Sequence, residues 1–216
     1  MPATVLCGHA LVARLDGFAA AYNSMARLLL APADQELLEG LAAPGQLEAW
    51  PMPRDQATSR GLDRLRASNA APESVTTLER DFERLFIGPN SLLAPPYESV
   101  HLTTERLIFD GPTFEVRAAY RSLGLEAPSF NREPDDHIGL EFSFLSLLCS
   151  RTLDAAEVGD QLKIESLLEL QRGFLGNHLL QWGATCLDLV EANAQTAFYQ
   201  GVGALGLGVL AHAATW

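Results

Sequence analysis

The chain has 216 residues, of which 48% are hydrophobic and 19% are charged, so it carries enough apolar side chain for a core of one or two domains. Its 27 acidic and 15 basic residues give a net charge of −12. Phosphate backbones and anionic membrane surfaces repel such an acidic protein, which argues against nucleic-acid binding and membrane association. The charge favours a basic partner.

The three cysteines, Cys7, Cys149 and Cys186, are far apart and include no C-x-x-C pair. This pattern argues against a disulfide framework or a zinc ribbon, and it fits a reducing compartment. No basic stretch precedes the first apolar residues, so a secretory signal is not expected. No apolar run reaches the ~18 residues that a membrane span needs. The sequence therefore predicts a cytoplasmic protein without stable membrane insertion.

Apolar residues recur with a helical period along most of the chain. Their spacing predicts helices over residues 10–30, 34–41, 55–68, 74–87, 113–124, 134–153, 158–173, 175–192 and 196–213. Asp34 and Thr113 are predicted N-caps, and Pro134-Asp135 is predicted in the first turn of its helix. Because no segment alternates as a strand does, the predicted fold class is all-α.

The run Gly201-Val-Gly203-Ala-Leu-Gly206 matches the dinucleotide fingerprint G-x-G-x-x-G. That fingerprint binds a cofactor only between a strand and a helix, whereas here a helical pattern precedes it. We interpret the glycines as small residues that allow close helix packing. Since no other cofactor motif is present, no cofactor is predicted.

The segment Glu133-Pro134-Asp135-Asp136-His137, with Glu141 one turn further on, gathers carboxylates and an imidazole at a helix start. Three interpretations are open: a helix cap, a metal site, or a recognition site for a cation. In the third, Asp135 and Asp136 bind a guanidinium through charge-assisted hydrogen bonds of ~1.5–3 kcal/mol each. The residue types alone favour the cap.

A second group of aromatic and apolar residues ends the 74–87 helix and continues into a proline-rich loop. Its members are Phe82, Leu85, Phe86, Pro96, Tyr97 and His101. Such a group can form the floor of a groove, although for Phe82 and Phe86 the helical spacing favours the core. His178 and Trp182, one turn apart on an apolar helix, are interpreted as structural.

Four segments carry a resemblance to a known family: residues 82–89, PPYESVHL at 95–102, EVRAAYRSLGL at 115–125 and EPDDHIGLEF at 133–142. They resemble the TorD/DmsD family of cytoplasmic chaperones for molybdoenzymes. The resemblance implies two helical lobes, residues 1–124 and 138–216, joined by a hinge at 125–137. It is compatible with a monomer or a lobe-swapped dimer.

The resemblance also implies a function without catalysis. Such a chaperone binds the twin-arginine leader of a molybdopterin oxidoreductase precursor and holds the precursor until its cofactor is inserted, before export. By position, Asp136 and His137 match the family's functional pair, next to Asp135, and the second group matches its leader-contacting residues. Relatives often carry Trp at position 82 and an aromatic residue at position 101, so we expect a different leader specificity.

The charge distribution agrees with this hypothesis. Residues 71–150 hold 13 acidic residues and 6 arginines, a net charge of −7, and this negative field attracts the two guanidinium groups of a leader. Two other functions stay open. One is a metal-dependent hydrolase that uses Asp135, Asp136, His137 and Glu141, and the other is a structural helical adaptor.

Overall fold

The computed structural model describes residues 8–88, 92–128 and 133–216. The α-helices in this part are α1 (Gly8–Leu30), α2 (Gln35–Ala42), α3 (Gln56–Ala70), α4 (Val75–Phe82), α5 (Glu98–Leu102), α6 (Gly111–Ser122), α7 (Ile138–Glu157), α8 (Gln161–Asn177), α9 (Leu179–Asn193) and α10 (Ala197–Ala213). No strand occurs in the described ranges, and the all-α prediction is confirmed. None of the helices described there is long and apolar enough to cross a membrane.

The helices share one hydrophobic core, to which both halves of the chain contribute. Helix α1 packs along α7, and α3 packs along α10, which also contacts α9. The core includes Phe18 of α1, Leu65 of α3, Phe142 of α7 and Leu205 of α10. The two-lobe division stays a prediction, and residues 129–132 of the predicted hinge lie outside the described residues.

Local capping chemistry fixes the start of α2, and it was predicted correctly. The Asp34 carboxylate accepts a hydrogen bond from the Leu37 N–H at 2.8 Å. At the start of α6 the prediction is wrong, because Asp110 and not Thr113 is the N-cap. Thr113 lies in the first turn of α6, and its hydroxyl donates to the carboxylate of Asp136.

The start of α7 also differs from the prediction. The helix begins at Ile138, so Pro134-Asp135 precedes it and does not form its first turn. The Ile138 N–H donates to the Pro96 carbonyl at 2.8 Å. Because the segment pairs with the proline-rich loop, His137 is extended after a turn at Asp135-Asp136, and the helix starts later.

The end of the predicted 74–87 helix widens into a π-helical turn, Glu83–Ile87, that continues α4. The Gly88 N–H donates to the Glu83 carbonyl, five residues back, at 2.8 Å. Gly88 then leaves the helix with φ at 83°, a conformation that glycine adopts without steric cost. The turn leads into the proline-rich loop, of which residues 89–91, including Pro89, lie outside the described ranges.

The glycines of the G-x-G-x-x-G run lie inside α10, and their packing role is confirmed. A Cβ at Gly203 would lie 2.7 Å from the Glu191 nitrogen and 2.8 Å from the Leu187 oxygen, both in α9. A Cβ at Gly201 would lie 2.9 Å from Cγ of Leu65 in α3. These glycines therefore allow α10 to approach two neighbouring helices closely.

We expect Gly203→Ala to destabilise the protein, because the added methyl group would overlap backbone atoms of α9. Overpacking of this kind costs ~1–3 kcal/mol, which urea or thermal unfolding measures. Gly173→Ala is the matched control, since Gly173 lies inside α8 but a Cβ there meets nothing within 4 Å. The control is expected to gain up to ~1 kcal/mol. Equal effects of the two substitutions would contradict the packing role.

Candidate functional site

The proline-rich loop and the 133–137 motif lie side by side. They meet in an isolated antiparallel β-bridge between Tyr97 and His137. Next to it, the Glu98 N–H donates to the Asp136 carbonyl at 3.0 Å. Two segments that are distant in sequence are thus brought together, and they contain most of the residues singled out from the sequence.

Asp136 lies at the centre of this junction and is fully buried. Its carboxylate accepts hydrogen bonds from the Ser99 N–H at 2.7 Å and from the Thr113 hydroxyl at 2.8 Å. Hydrogen bonds to a charged group contribute ~1.5–3 kcal/mol each. The carboxylate therefore fastens the start of α5 and the first turn of α6 to the motif, and both of its oxygens are engaged within the chain.

Asp135 is also buried, and its partner is an arginine of α6. Nε and Nη2 of Arg117 donate to Oδ2 of Asp135 at 3.0 and 2.6 Å, and this bond raises the pKa of the guanidinium. The other carboxylate oxygen, Oδ1, is buried and has no hydrogen-bond partner among the described residues. A guanidinium–carboxylate pair, which the sequence predicted between the motif and a leader, is thus already formed inside the chain.

Where the loop meets the motif, the accessible residues are Tyr97 of the loop and Glu133 and His137 of the motif, which we call the Tyr97–His137 face. Glu133 is exposed, and the two rings are half-buried, with their centroids 5.4 Å apart in an edge-on arrangement. Nδ1 of His137 accepts the Gly139 N–H at 3.0 Å and so caps α7. Burial lowers the pKa of His137 to about 4. At neutral pH this imidazole is therefore uncharged, with its proton on Nε2.

Two more carboxyl groups lie near Asp136 in the interior. Glu98 is buried, and one of its carboxyl oxygens lies 3.1 Å from Nδ1 of His178. Glu141 is fully buried, and its Oε1 accepts the indole N–H of Trp182 at 3.2 Å. The structural interpretation of His178 and Trp182 agrees with these contacts, since both side chains are partners of buried acids.

Burial controls the protonation of both glutamates. It raises the pKa of Glu98, and it raises the pKa of Glu141 well above its usual range, because a carboxylate there loses its hydration. The negative charge of Asp136 adds to both shifts. The sequence analysis did not identify Glu98 as a site residue. A glutamate among apolar residues indicates a buried acid that needs a partner, and His178 is that partner in the structure.

The apolar members of the second group lie in the core. Phe82, Leu85 and Phe86 are buried, and the rings of Phe82 and Phe86 are 4.8 Å apart and both contact Tyr199. The Ala94 N–H donates to the Leu85 carbonyl at 3.0 Å. These residues therefore form the base on which the proline-rich loop rests.

The loop itself is held by its prolines and by His101. Pro96 is buried, whereas Tyr97 and His101 are half-buried. Nε2 of His101 lies 2.8 Å from the Pro95 carbonyl, and the His101 ring packs 5.1 Å from that of Trp182. Of the six residues in the second group, Tyr97 and His101 keep accessible surface. The peptide-binding roles of all nine predicted site residues stay predictions.

The metal-dependent hydrolase alternative is not supported. The carboxyl groups of Asp135, Asp136 and Glu141 are hydrogen-bonded to neighbouring side chains or to backbone. Within the described ranges no group of three or more His, Cys, Asp and Glu residues is placed to hold a metal ion. Cys149 and Cys186 are buried free thiols, and Cys7 lies outside the described residues.

We expect Glu141→Gln to become more stable than the wild type as the pH rises. In the folded chain burial keeps Glu141 protonated at pH values where the unfolded chain ionises, so its contribution to stability is greatest at low pH and is lost as the pH increases. Glutamine stays uncharged and can still accept the Trp182 N–H. The measurement is the free energy of unfolding in urea at several pH values, from the ordinary pKa of glutamic acid upward.

Glu157→Gln is the control, since Glu157 is exposed and ends the same helix. We expect no such growing difference for it. If the difference between Glu141→Gln and the wild type does not change with pH, the protonated state of Glu141 is excluded.

Comparison with known proteins agrees with the resemblance. A Tat proofreading chaperone DmsD from Salmonella paratyphi A is 33% identical over 132 residues, which cover 61% of this chain and 58% of that protein. A probable Tat proofreading chaperone DmsD from Haemophilus influenzae is 25% identical, with 81% and 77% covered. A chaperone protein TorD from a Psychrobacter species is 27% identical, with 60% and 56% covered.

The aligned part spans less than two thirds of the Salmonella and Psychrobacter relatives. The family described as nitrate reductase delta subunit matches residues 52–188, a range that holds the proline-rich loop, the 133–137 motif and the partners of both. Because this match covers more than half of the chain, the chain belongs to the nitrate reductase delta subunit family, which is the TorD/DmsD family that the four segments resemble.

Proposed function

We propose that this chain is a chaperone that binds the twin-arginine leader of a molybdopterin oxidoreductase precursor. It holds the precursor in the cytoplasm until the cofactor is inserted, before export, and it has no catalytic activity of its own. The relatives named Tat proofreading chaperone DmsD and chaperone protein TorD support this proposal. The structural observation that carries it is the bridge between Tyr97 and His137, which joins the two predicted leader-binding segments.

The burial of the motif suggests a division of roles within the proposed site. Asp135 and Asp136 act as positioning residues, because their carboxylates hold α5 and α6 against the motif. The buried Phe82, Leu85, Phe86 and Pro96 support the loop from inside the core.

In this proposal the Tyr97–His137 face and His101 contact the leader directly. Glu133 supplies an exposed carboxylate for one guanidinium, and the Tyr97 ring supplies a π face for another. The uncharged imidazole of His137 is suited to hydrogen bonding with the peptide backbone and adds no positive charge that would repel the arginines. Ordering a flexible leader costs ~2–5 kcal/mol, so the binding is moderate and reversible, as release of a client requires.

The chain's charge supports a cationic ligand. A net charge of −12 raises the encounter rate with a leader that carries two arginines, and the effect falls with salt. The oligomeric state in this proposal is a monomer or a lobe-swapped dimer, and nucleic acid is not a partner. A structural adaptor would differ in one respect. Its affinity for its partner would not change when the charges of the motif or the arginines of the leader are removed.

We expect the full chain to bind a synthetic leader from a precursor encoded beside its gene, and to bind the same leader with both arginines changed to lysine at least about tenfold more weakly. Glu133→Gln is expected to weaken the arginine leader about two- to fivefold, as the loss of one accessible charge pair does. Isothermal titration calorimetry measures both effects.

Glu157→Gln is the matched control, since it removes one exposed carboxylate and changes the net charge equally, at the far end of α7. It should bind the leader as the wild type does. Equal affinity for the arginine and lysine leaders, or an equal loss in the two variants, would contradict recognition at the motif.

A further inference from the structure

Arg117 of α6 places beside the motif the same chemical group that a twin-arginine leader carries. Nε and Nη2 of its guanidinium both donate to one carboxylate oxygen, Oδ2 of Asp135, at 3.0 and 2.6 Å. The other oxygen, Oδ1, is buried and accepts no hydrogen bond from the part of the chain that the structure describes. The pair therefore leaves one acceptor of a buried carboxylate unused, which is unfavourable in the interior.

Another arginine pair in the same chain has the complete arrangement. Nε of Arg60 in α3 donates to Oε1 of Glu191 in α9 at 2.6 Å, and Nη2 donates to Oε2 at 2.9 Å. Two parallel bonds to two oxygens are the preferred geometry of a guanidinium with a carboxylate. Because Arg117 reaches a single oxygen of Asp135, its hold on this carboxylate is incomplete.

The position of Asp135 does not depend on Arg117 alone. The Tyr120 hydroxyl donates to the Asp135 carbonyl at 3.1 Å, and the carboxylate of the next residue, Asp136, accepts the Thr113 hydroxyl at 2.8 Å. Thr113 and Tyr120 both belong to α6, so two bonds besides the ion pair attach this helix to the motif. The guanidinium can therefore leave Asp135 while α6 and the motif stay together.

The side chain of Arg117 lies at the edge of the core and has a second acid within electrostatic reach. It keeps 12% of its surface accessible, against 1% for the side chain of Asp135. Its guanidinium lies 5.5 Å from the centre of the Phe114 ring, which is itself exposed. The bond to Asp135 raises the pKa of Arg117 most, and the charge of the exposed Glu126 adds to this. A displaced Arg117 can thus turn towards Glu126 and solvent and stay charged.

We propose that Arg117 is an internal competitor of the leader, which occupies Asp135 in the free chain and gives up that carboxylate when an arginine of the leader binds. The inference rests on the proposed function and deepens it, because it names how the affinity of the same site is regulated. The arginine first meets Glu133, which is exposed and lies two residues before Asp135. It then replaces Arg117 at the carboxylate.

The exchange keeps one guanidinium on Asp135 before and after binding. A buried carboxylate that loses its partner is strongly destabilised, so Arg117 leaves only as the arginine of the leader arrives. A lysine cannot take over in the same way, because its ammonium is a compact, strongly hydrated charge without the planar fork of donors. Displacement of Arg117 lowers the net affinity, and the return of Arg117 to Asp135 favours release of the client.

The direct test follows the Nε–H groups of Arg117 and Arg60 in the full wild-type chain by ¹⁵N NMR, with the two signals assigned through Arg117→Lys and Arg60→Lys. Both groups are hydrogen-bonded in the free chain, so we expect slow exchange with water. The synthetic arginine leader should raise the exchange rate of the Arg117 Nε–H at least about tenfold, as the loss of a charge-assisted bond does. The rate of Arg60 should stay unchanged. A saturating amount of the lysine leader should change neither rate.

A second measurement compares leader affinities by isothermal titration calorimetry. Arg117→Met keeps a long side chain but removes the donors, so no internal guanidinium has to be displaced. We expect it to bind the arginine leader about tenfold more tightly than the wild type, although the unpaired Asp135 lowers its stability. Arg60→Met is the matched control, since it changes the net charge equally at the pair between α3 and α9, and it should bind as the wild type does.

The outcomes separate this inference from the proposed function. If the wild type binds the arginine leader while the Arg117 Nε–H exchanges as slowly as before, the competition is wrong and the proposed function stands. Equal or weaker binding by a folded Arg117→Met chain also overturns the competition. If Arg117→Met does not fold, the NMR result on the wild type decides. If the wild type does not bind the arginine leader at all, both proposals fall.

Discussion

The buried carboxylate of Asp136 holds three separate segments together through two side-chain hydrogen bonds. A charged or polar group that is buried without hydrogen-bond partners costs several kcal/mol. Ser99 and Thr113 are therefore held in place, because they supply the partners of Asp136. Their bonds set where α5 begins and how the first turn of α6 meets the motif. The bridge between Tyr97 and His137 then follows from the same backbone alignment, and the accessible face of the motif depends on it.

Two other buried acids, Asp135 and Glu141, each have a hydrogen-bond partner on a separate helix. Asp135 pairs with Arg117 of α6, and Glu141 accepts the Trp182 indole of α9. Removal of one partner from such a group costs more than the pair contributes, because it leaves an unsatisfied polar atom in the interior. The motif therefore serves as a structural junction, and a substitution there affects stability and ligand recognition together. Measurements of binding need variants at its exposed positions for this reason.

The sequence allowed most helices to be predicted, because apolar spacing and caps such as Asp34 act within a few residues. The errors arose where a distant contact competes with a local rule. Proline and aspartate suit the first turn of a helix, yet Pro134-Asp135 stays outside α7 because the adjoining backbone pairs with the proline-rich loop. Arg117 as the partner of Asp135 was not foreseen, since nothing in the spacing of the two residues fixes their distance in the fold.

In the candidate site, too, features set by local spacing were predictable and features set by distant contacts were not. That the loop and the motif belong together was implied by the resemblance, and their contact is seen in the structure. Whether a given aspartate faces inward or outward depends on what packs against it, and residue types alone cannot determine this. For Phe82 and Phe86 the helical period was informative, because a repeated spacing reports a buried face directly.

The pairing of α1 with α7 and of α3 with α10 has a consequence for how the chain is made. During synthesis α1 and α3 emerge early, with apolar faces whose partners have not yet been translated. Contacts of such high sequence separation form slowly and leave apolar surface open to aggregation in the meantime. Until α7 and α10 have been synthesised, the apolar faces of α1 and α3 lack the partners that cover them in the folded chain.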